Sequence, residues 1–260
     1  SLLPAAQPLM LPPLNLDRID EAAQLLARAE RPMIVIGGGA VDAAEPLLQL
    51  AEMIQAPVVS FRSGRGVVSD RHYLAQVLPA GYELWKSADV VLGIGSRMEQ
   101  QLLHWQTTPG MTVIRVDIDA DELARIEPPQ VALHADARQA ITALIAALPK
   151  YQKRRASREQ ELLQLKARVA AEFESVQPQL SYLAAIRAAL PDDGFFVDEI
   201  TQVGYASWYA FPTYAPRQHV NCGYQGTLGY GYATALGVKI AHPDRARGVD
   251  HPPTAPGDPP

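Results

Sequence analysis

The residues best placed to do chemistry lie near one end of the chain, in Cys222-Gly223-Tyr224-Gln225-Gly226-Thr227-Leu228-Gly229-Tyr230-Gly231. Closely spaced glycines let a backbone take positive φ or approach a ligand closely. The apolar run that follows, Ala233 to Ile240, meets no proline until Pro243 and reads as a helix. A loop here delivers bare backbone, with Leu228 beside it, to something at a helix start. A plain turn before a buried helix is the alternative, and spacing alone does not separate the two. A second glycine cluster, Gly37-Gly38-Gly39, follows an apolar run, where a dinucleotide pyrophosphate would sit on a helix N-terminus. Asp42 stands where the third glycine of the full G-x-G-x-x-G pattern belongs, so a tight strand-to-helix turn is the competing reading.

Other candidates are weaker. Asp198-Glu199 has the look of a carboxylate pair but reads as a strand end and helix cap. His219 flanks a strand and receives no role. The six histidines are scattered without metal-ligand spacing, so no metal ligand and no catalytic residue is assigned. The single cysteine, Cys222, excludes an internal disulfide, suits a reducing compartment, and reads as a small hydrophobe.

Elements that could position these residues alternate along the chain. Residues 1–16 are a Pro- and Leu-rich linker, and Asp17 to Ala29 carries apolar residues at helical spacing. Met33–Ile36, Pro57–Ser60, Asp89–Ile94 and Thr112–Asp117 are apolar runs separated by helical stretches, the last from Asp136 to Leu148. Continuous apolar strands alternating with helices predict a parallel sheet covered on both faces, a doubly wound α/β layer over 17–149. Residues 150–178 are crowded with charge around Leu162, Leu165, Val169 and Phe173, a charged helical connector with one narrow apolar stripe. A second α/β pattern starts at 179, with a strand at Phe195–Asp198 and a helix within Ile200 to Ala210. Residues 248–260 hold five prolines and no apolar periodicity, so 246–260 is expected to be a disordered tail.

With 260 residues and 48% apolar content, one or two domains with a sizeable core are expected. The net charge of −5 argues against nucleic acid or an anionic membrane as the main partner. No apolar run approaches a membrane span and no secretory signal is visible, so the expected location is cytoplasmic.

The glycine-rich stretch resembles the cofactor-anchoring segment of the thiamine diphosphate (ThDP)-dependent enzymes, the acetolactate synthase and benzoylformate decarboxylase group. The matching residues are Gly226-Thr227-Leu228-Gly229-Tyr230-Gly231 and Ala235-Leu236-Gly237. The resemblance implies that Leu228 props the cofactor into a bent shape while the backbone of Gly226, Thr227 and Gly229 binds it. It also implies that Val203-Gly204 touches the diphosphate, although Tyr205-Ala206 follows where the family often has Gln-His. The earlier segment resembles the family's central domain, which in some members binds FAD and in others ADP. Gly37-Gly38-Gly39, Gly95-Ser96-Arg97, Asp117 and Asp136 fall at its ligand positions. Met98-Glu99-Gln100-Gln101 departs from the FAD-binding pattern, and Ala135 replaces a glycine.

The implied reaction is cleavage of the bond next to the carbonyl of a 2-keto acid, with ligation of the acetolactate type first and simple decarboxylation second; the cofactor serves as electron sink. The parent enzyme would hold Mg²⁺ through a Gly-Asp-Gly motif and an Asn-Asn pair, and would be a homo-oligomer. Neither motif occurs here, since the asparagines are Asn15 and Asn221 and Gly257-Asp258 is followed by Pro259. The expectation is a piece of such an enzyme, inactive alone, ending in an incomplete second α/β domain over 179–245. A non-catalytic module binding FAD or ADP is the alternative.

Overall fold

The computed structural model describes residues 10–151, 155–223, 225–245 and 247–249. Its first part is a six-stranded sheet built from β1 (Pro32–Ile36), β2 (Val58–Ser60), β3 (Ala75–Gln76), β4 (Val90–Ile94), β5 (Thr112–Asp117) and β6 (Val131–His134). All pairings are parallel and the strand order is β3-β2-β1-β4-β5-β6. β1 and β4 are buried along their whole length, which is why they read as unbroken apolar runs. Helices α1 (Leu16–Arg28), α2 (Ala44–Ile54), α3 (Leu78–Trp85), α4 (Ala120–Leu123) and α5 (Ala137–Ala147) accompany the sheet. Local chemistry sets their ends. Asn15 accepts the Arg18 amide at 3.1 Å to open α1, and Asp136 accepts the Gln139 amide at 3.0 Å to open α5.

The charged connector contains α6 (Glu159–Glu172), whose buried stripe, Leu162, Leu165 and Val169, joins the core of the first sheet. Its Lys166 Nζ donates to the carbonyls of Asp70 (2.6 Å) and His72 (2.9 Å). The connector is therefore docked on the first sheet.

Beyond it lie α7 (Gln179–Ala189), β7 (Phe195–Val197), α8 (Gln202–Ala210), β8 (His219–Val220), α9 (Tyr230–Ala241) and β9 (Arg247–Val249). The three strands form a parallel sheet in the order β8-β7-β9. Its core is small: Leu183, Leu190, Phe196 and Phe211, with Phe196 and Phe211 stacked at 4.2 Å.

β9 corrects one expectation. A tail beginning at 246 does not hold for residues 247–249, which pair with β7 from Phe195↔Arg247 to Val197↔Val249. The strand is short and Gly248 interrupts its apolar pattern, so periodicity misses it. That glycine is needed, because a Cβ there would stand 2.7 Å from Ile186 Cγ2. The rest of the expected tail, 246 and 250–260, lies outside the described residues, as do residues 1–9 of the expected linker.

Candidate active site

The carboxyl end of β7 gathers the glycine-rich stretch around Gly226–Gly231. Thr201 caps α8, its Oγ1 accepting the Gly204 amide at 2.9 Å, so Val203 and Gly204 lie in the first turn of that helix. Glu199 reaches across to the start of α9. Its Oε1 accepts from the Gly229 amide at 3.2 Å and its Oε2 from the Gly231 amide at 2.8 Å. The starts of α8 and α9 thus meet at one strand end, each with first-turn amides capped by a side chain, Gly204 by Thr201 and Gly229 and Gly231 by Glu199. Glu199 is a helix cap, but for α9, whereas Thr201 serves its own helix.

The turn that carries Gly226, Thr227, Leu228 and Gly229 is open. Gly223, Gly226 and Gly229 have φ of +65°, +62° and +80°, and a Cβ on any of them would meet nothing within 4 Å among the described residues. These glycines are required by backbone conformation alone, and the space beside them is free. Leu228 is 74% exposed. Gly231 differs, because a Cβ there would press on Asp198 O and Glu199 Oε2, both at 3.0 Å.

A buried polar cluster supports this end of the sheet. Asp198, fully buried, accepts from Trp208 Nε1 at 2.6 Å and from the Tyr230 hydroxyl. His219 Nε2 stands 3.5 Å from Asp198 Oδ2 and 3.3 Å from Ser207 Oγ. Burial pushes the His219 pKa down against the pull of Asp198, so the ring is held neutral. Burial and Asp198 push the Tyr230 phenol well up, so it remains a donor.

The other glycine cluster sits at the switch point between β1 and β4, where the strand order reverses. Gly37, Gly38, Gly95, Ser96 and Arg97 line one cavity of about 650 Å³ there. Gly39, Asp117 and Asp136 are not among its walls. Asp117 ends β5, where burial raises its pKa, and Asp136 is spent on capping α5. Packing explains most of these glycines. A Cβ on Gly37 would lie 2.5 Å from Gly95 O, and one on Gly95, itself at φ +53°, would lie 2.4 Å from Gly39 Cα. The two turns rest on each other, and that contact alone demands the residue type.

Sequence reasoning missed the cavity's far wall, Phe61, Arg62 and Ser63, and the fact that Gly223 lines it. Arg62 bridges the two glycine clusters. Its guanidinium lies 4.1 Å from the Trp208 ring and 5.0 Å from the Phe61 ring, and its Nη1 donates to Gly223 O at 3.1 Å. It does so from a left-handed backbone, φ +47°, rare for a residue with a side chain. The polar run Phe61-Arg62-Ser63-Gly64 directly after an apolar strand was the available signal.

With this geometry in place, comparison with known proteins gives the family. The family model described as the thiamine pyrophosphate enzyme central domain matches residues 19–144, and that for the C-terminal TPP-binding domain matches residues 199–249. The chain belongs to the thiamine diphosphate-dependent enzyme family. It is 35% identical to a probable 2-ketoarginine decarboxylase of Pseudomonas aeruginosa, over 86% of this chain and 41% of that protein. It is 29% identical to the large subunit of acetolactate synthase isozyme 1 of Escherichia coli, over 90% of this chain and 43% of the relative. A glyoxylate carboligase of Escherichia coli O157:H7 is likewise 29% identical, over 92% and 43%. The chain thus spans about two fifths of the length of the relatives it matches. The second matched region ends with β9.

Proposed function

We propose that residues 199–231 form one wall of a ThDP site in an enzyme that removes CO₂ from a 2-keto acid, either releasing the product or joining it to a second carbonyl. The observation that carries this reading is the open turn at 226–229, with unobstructed positive-φ glycines at the junction of two helix starts. For the diphosphate end the two helix starts converge at one strand end, but the Gly204 amide is taken by Thr201 and the Gly229 and Gly231 amides by Glu199, so a diphosphate binds there only by displacing the Glu199 carboxylate. The fit for a metal ion is unsupported, because among the described residues no three His, Cys, Asp or Glu side chains gather. When bound, the cofactor supplies an electron sink beside the keto carbon. The chain's own part is to seat it. Leu228 presents an apolar prop, Glu199 fixes the turn, and Asp198 with Trp208 and Tyr230 holds the strand end rigid.

Names of relatives suggest both outcomes, a decarboxylase and two ligases, and the turn serves either. The exposed stripe Leu228, Tyr232, Leu236 and Ile240 on and before α9 supports a homo-oligomer in which this face is covered. We further infer that the 260-residue chain alone turns over no keto acid, since it presents one open wall. A few backbone hydrogen bonds, each worth about 1 kcal/mol net, leave little after the cost of association. Calorimetry with ThDP and Mg²⁺, with CO₂ release from pyruvate and 2-ketoarginine, tests this. Binding no tighter than about 1 mM and no CO₂ are expected; micromolar affinity or turnover would contradict inactivity.

A second reading concerns the first sheet alone. Its switch-point cavity has room for a nucleotide such as ADP, with phosphates at Gly37-Gly38 and the Arg97 guanidinium beside them, while the family matches do not favour FAD there. Absence of binding by either in calorimetry would leave these residues as turns.

A further inference from the structure

A second cavity, of about 610 Å³, lies between α6 and the segment that follows α8. Its walls are mostly apolar: Leu163, Val169 and Phe173 on one side, Tyr209, Phe211 and Pro212 on the other. Phe173 and Tyr209 stack at 5.9 Å and 16°. Its polar lining is unbalanced. Arg65, Arg71 and Lys166 face a single carboxylate, Asp70. That carboxylate is already spent, accepting from Arg65 Nη2 at 2.6 Å and from the Thr213 amide at 2.7 Å. Arg65 is 2% exposed, and its Nε has no partner among the described residues. Lys166 is half-buried and, among the described residues, meets two carbonyls but no carboxylate. Burial lowers its pKa, while the nearby Asp70 pulls it back up and Arg65 pushes it down. Arg71 stacks over Tyr214 at 3.8 Å at the rim and meets Asp192, outside the cavity, at 2.8 Å in an exposed pair.

An apolar-walled cavity of this size with a few converging polar groups is the usual form of a small-molecule site. An excess of cations selects the sign of the ligand, because an anion relieves a desolvated ammonium while a cation or neutral polar group does not. We propose that this cavity binds a monocarboxylate with an apolar, ring-sized body, its carboxylate toward Lys166 and Arg71 and its body between Phe173 and Phe211. The site is separate from the glycine turns and independent of whether ThDP binds.

Calorimetry with phenylbutyrate and with the matching neutral alcohol, phenylbutanol, tests it on the 260-residue chain. The acid should bind with a dissociation constant below about 1 mM, and the alcohol about tenfold more weakly. Ala167 and Ala170 line the cavity from exposed positions of α6, so Ala167→Trp or Ala170→Trp should fill it without unfolding the helix. Either change should weaken the acid at least about tenfold with an unchanged melting midpoint, and Lys166→Met should bring acid and alcohol together. Gln49→Glu, at an exposed position of α2 away from the cavity, should leave binding unchanged. Equal affinity for acid and alcohol, no binding of the acid, insensitivity to the tryptophan variants, or loss in Gln49→Glu would each overturn the proposal.

Discussion

Single residues in this molecule separate into those fixed by packing and those fixed by conformation. Gly95 is fixed by both, with positive φ and backbone atoms of Gly39 where a side chain would go. Gly95→Ala should cost about 3–5 kcal/mol, read as a large drop in the urea midpoint. Gly226 has the same hand of φ but open space, so Gly226→Ala should cost only about 1–2 kcal/mol. Similar losses at the two sites would contradict this division. Arg62 is a different case, a strained backbone held by its side chain's contacts with Trp208 and Gly223. Arg62→Ala should speed amide exchange at 221–229 more than in the first sheet. His219 adds a pH dependence. Burial keeps its folded form neutral, so the unfolded chain takes the proton first. The resulting stability is intact above the unfolded pKa near 6.5 and is lost as pH falls below it. Denaturation between about pH 7 and pH 5 should show this slope, and His219→Gln should flatten it. The loss tied to Glu161, whose carboxyl Arg158 and Arg31 hold down at about 2, belongs to a lower window, below the ordinary value of 4.5.

At the scale of elements, the four apolar strands of the first sheet were legible, because an unbroken apolar run between helical stretches fits a doubly covered strand and little else. β3, β6 and α3 were not. β3 has two residues, and β6 is an edge strand alternating between buried Val131 and Leu133 and exposed Ala132 and His134. In α3, Pro79 and Gly81 disguise a helix; Gly81 is there because a Cβ would stand 2.6 Å from Val59 Cγ1. The glycine turns were legible as turns, and the resemblance gave them a ligand. Arg62 was not, since its role depends on two segments 161 residues apart. β9 is the element most worth testing. A chain ending at residue 246 should melt several degrees below one ending at residue 250, since β7 loses a neighbour. Equal midpoints would show that the strand adds nothing.

At the scale of the whole molecule, the two sheets are tied by a buried joint. Arg65 donates to Trp208 O at 2.9 Å, Phe211 O at 2.6 Å and Asp70, and Asp70 in turn accepts the Thr213 amide. Removing one partner of such a joint strands the others, so Arg65→Leu should cost about 3–5 kcal/mol. The second sheet, with its four-residue core, should then unfold first and a single melting transition should split in two. Through this joint and Arg62, the first sheet holds the proposed ThDP wall in place. The most direct test is hydrogen exchange of the 260-residue chain with and without excess ThDP and Mg²⁺. The cofactor should slow exchange at 203–204 and 226–231 and leave the turns at 37–39 and 95–97 unchanged. Protection confined to 37–39 and 95–97, or none at 226–231 at cofactor concentrations about tenfold above the weak dissociation constant expected for this chain, would contradict the assignment of that turn.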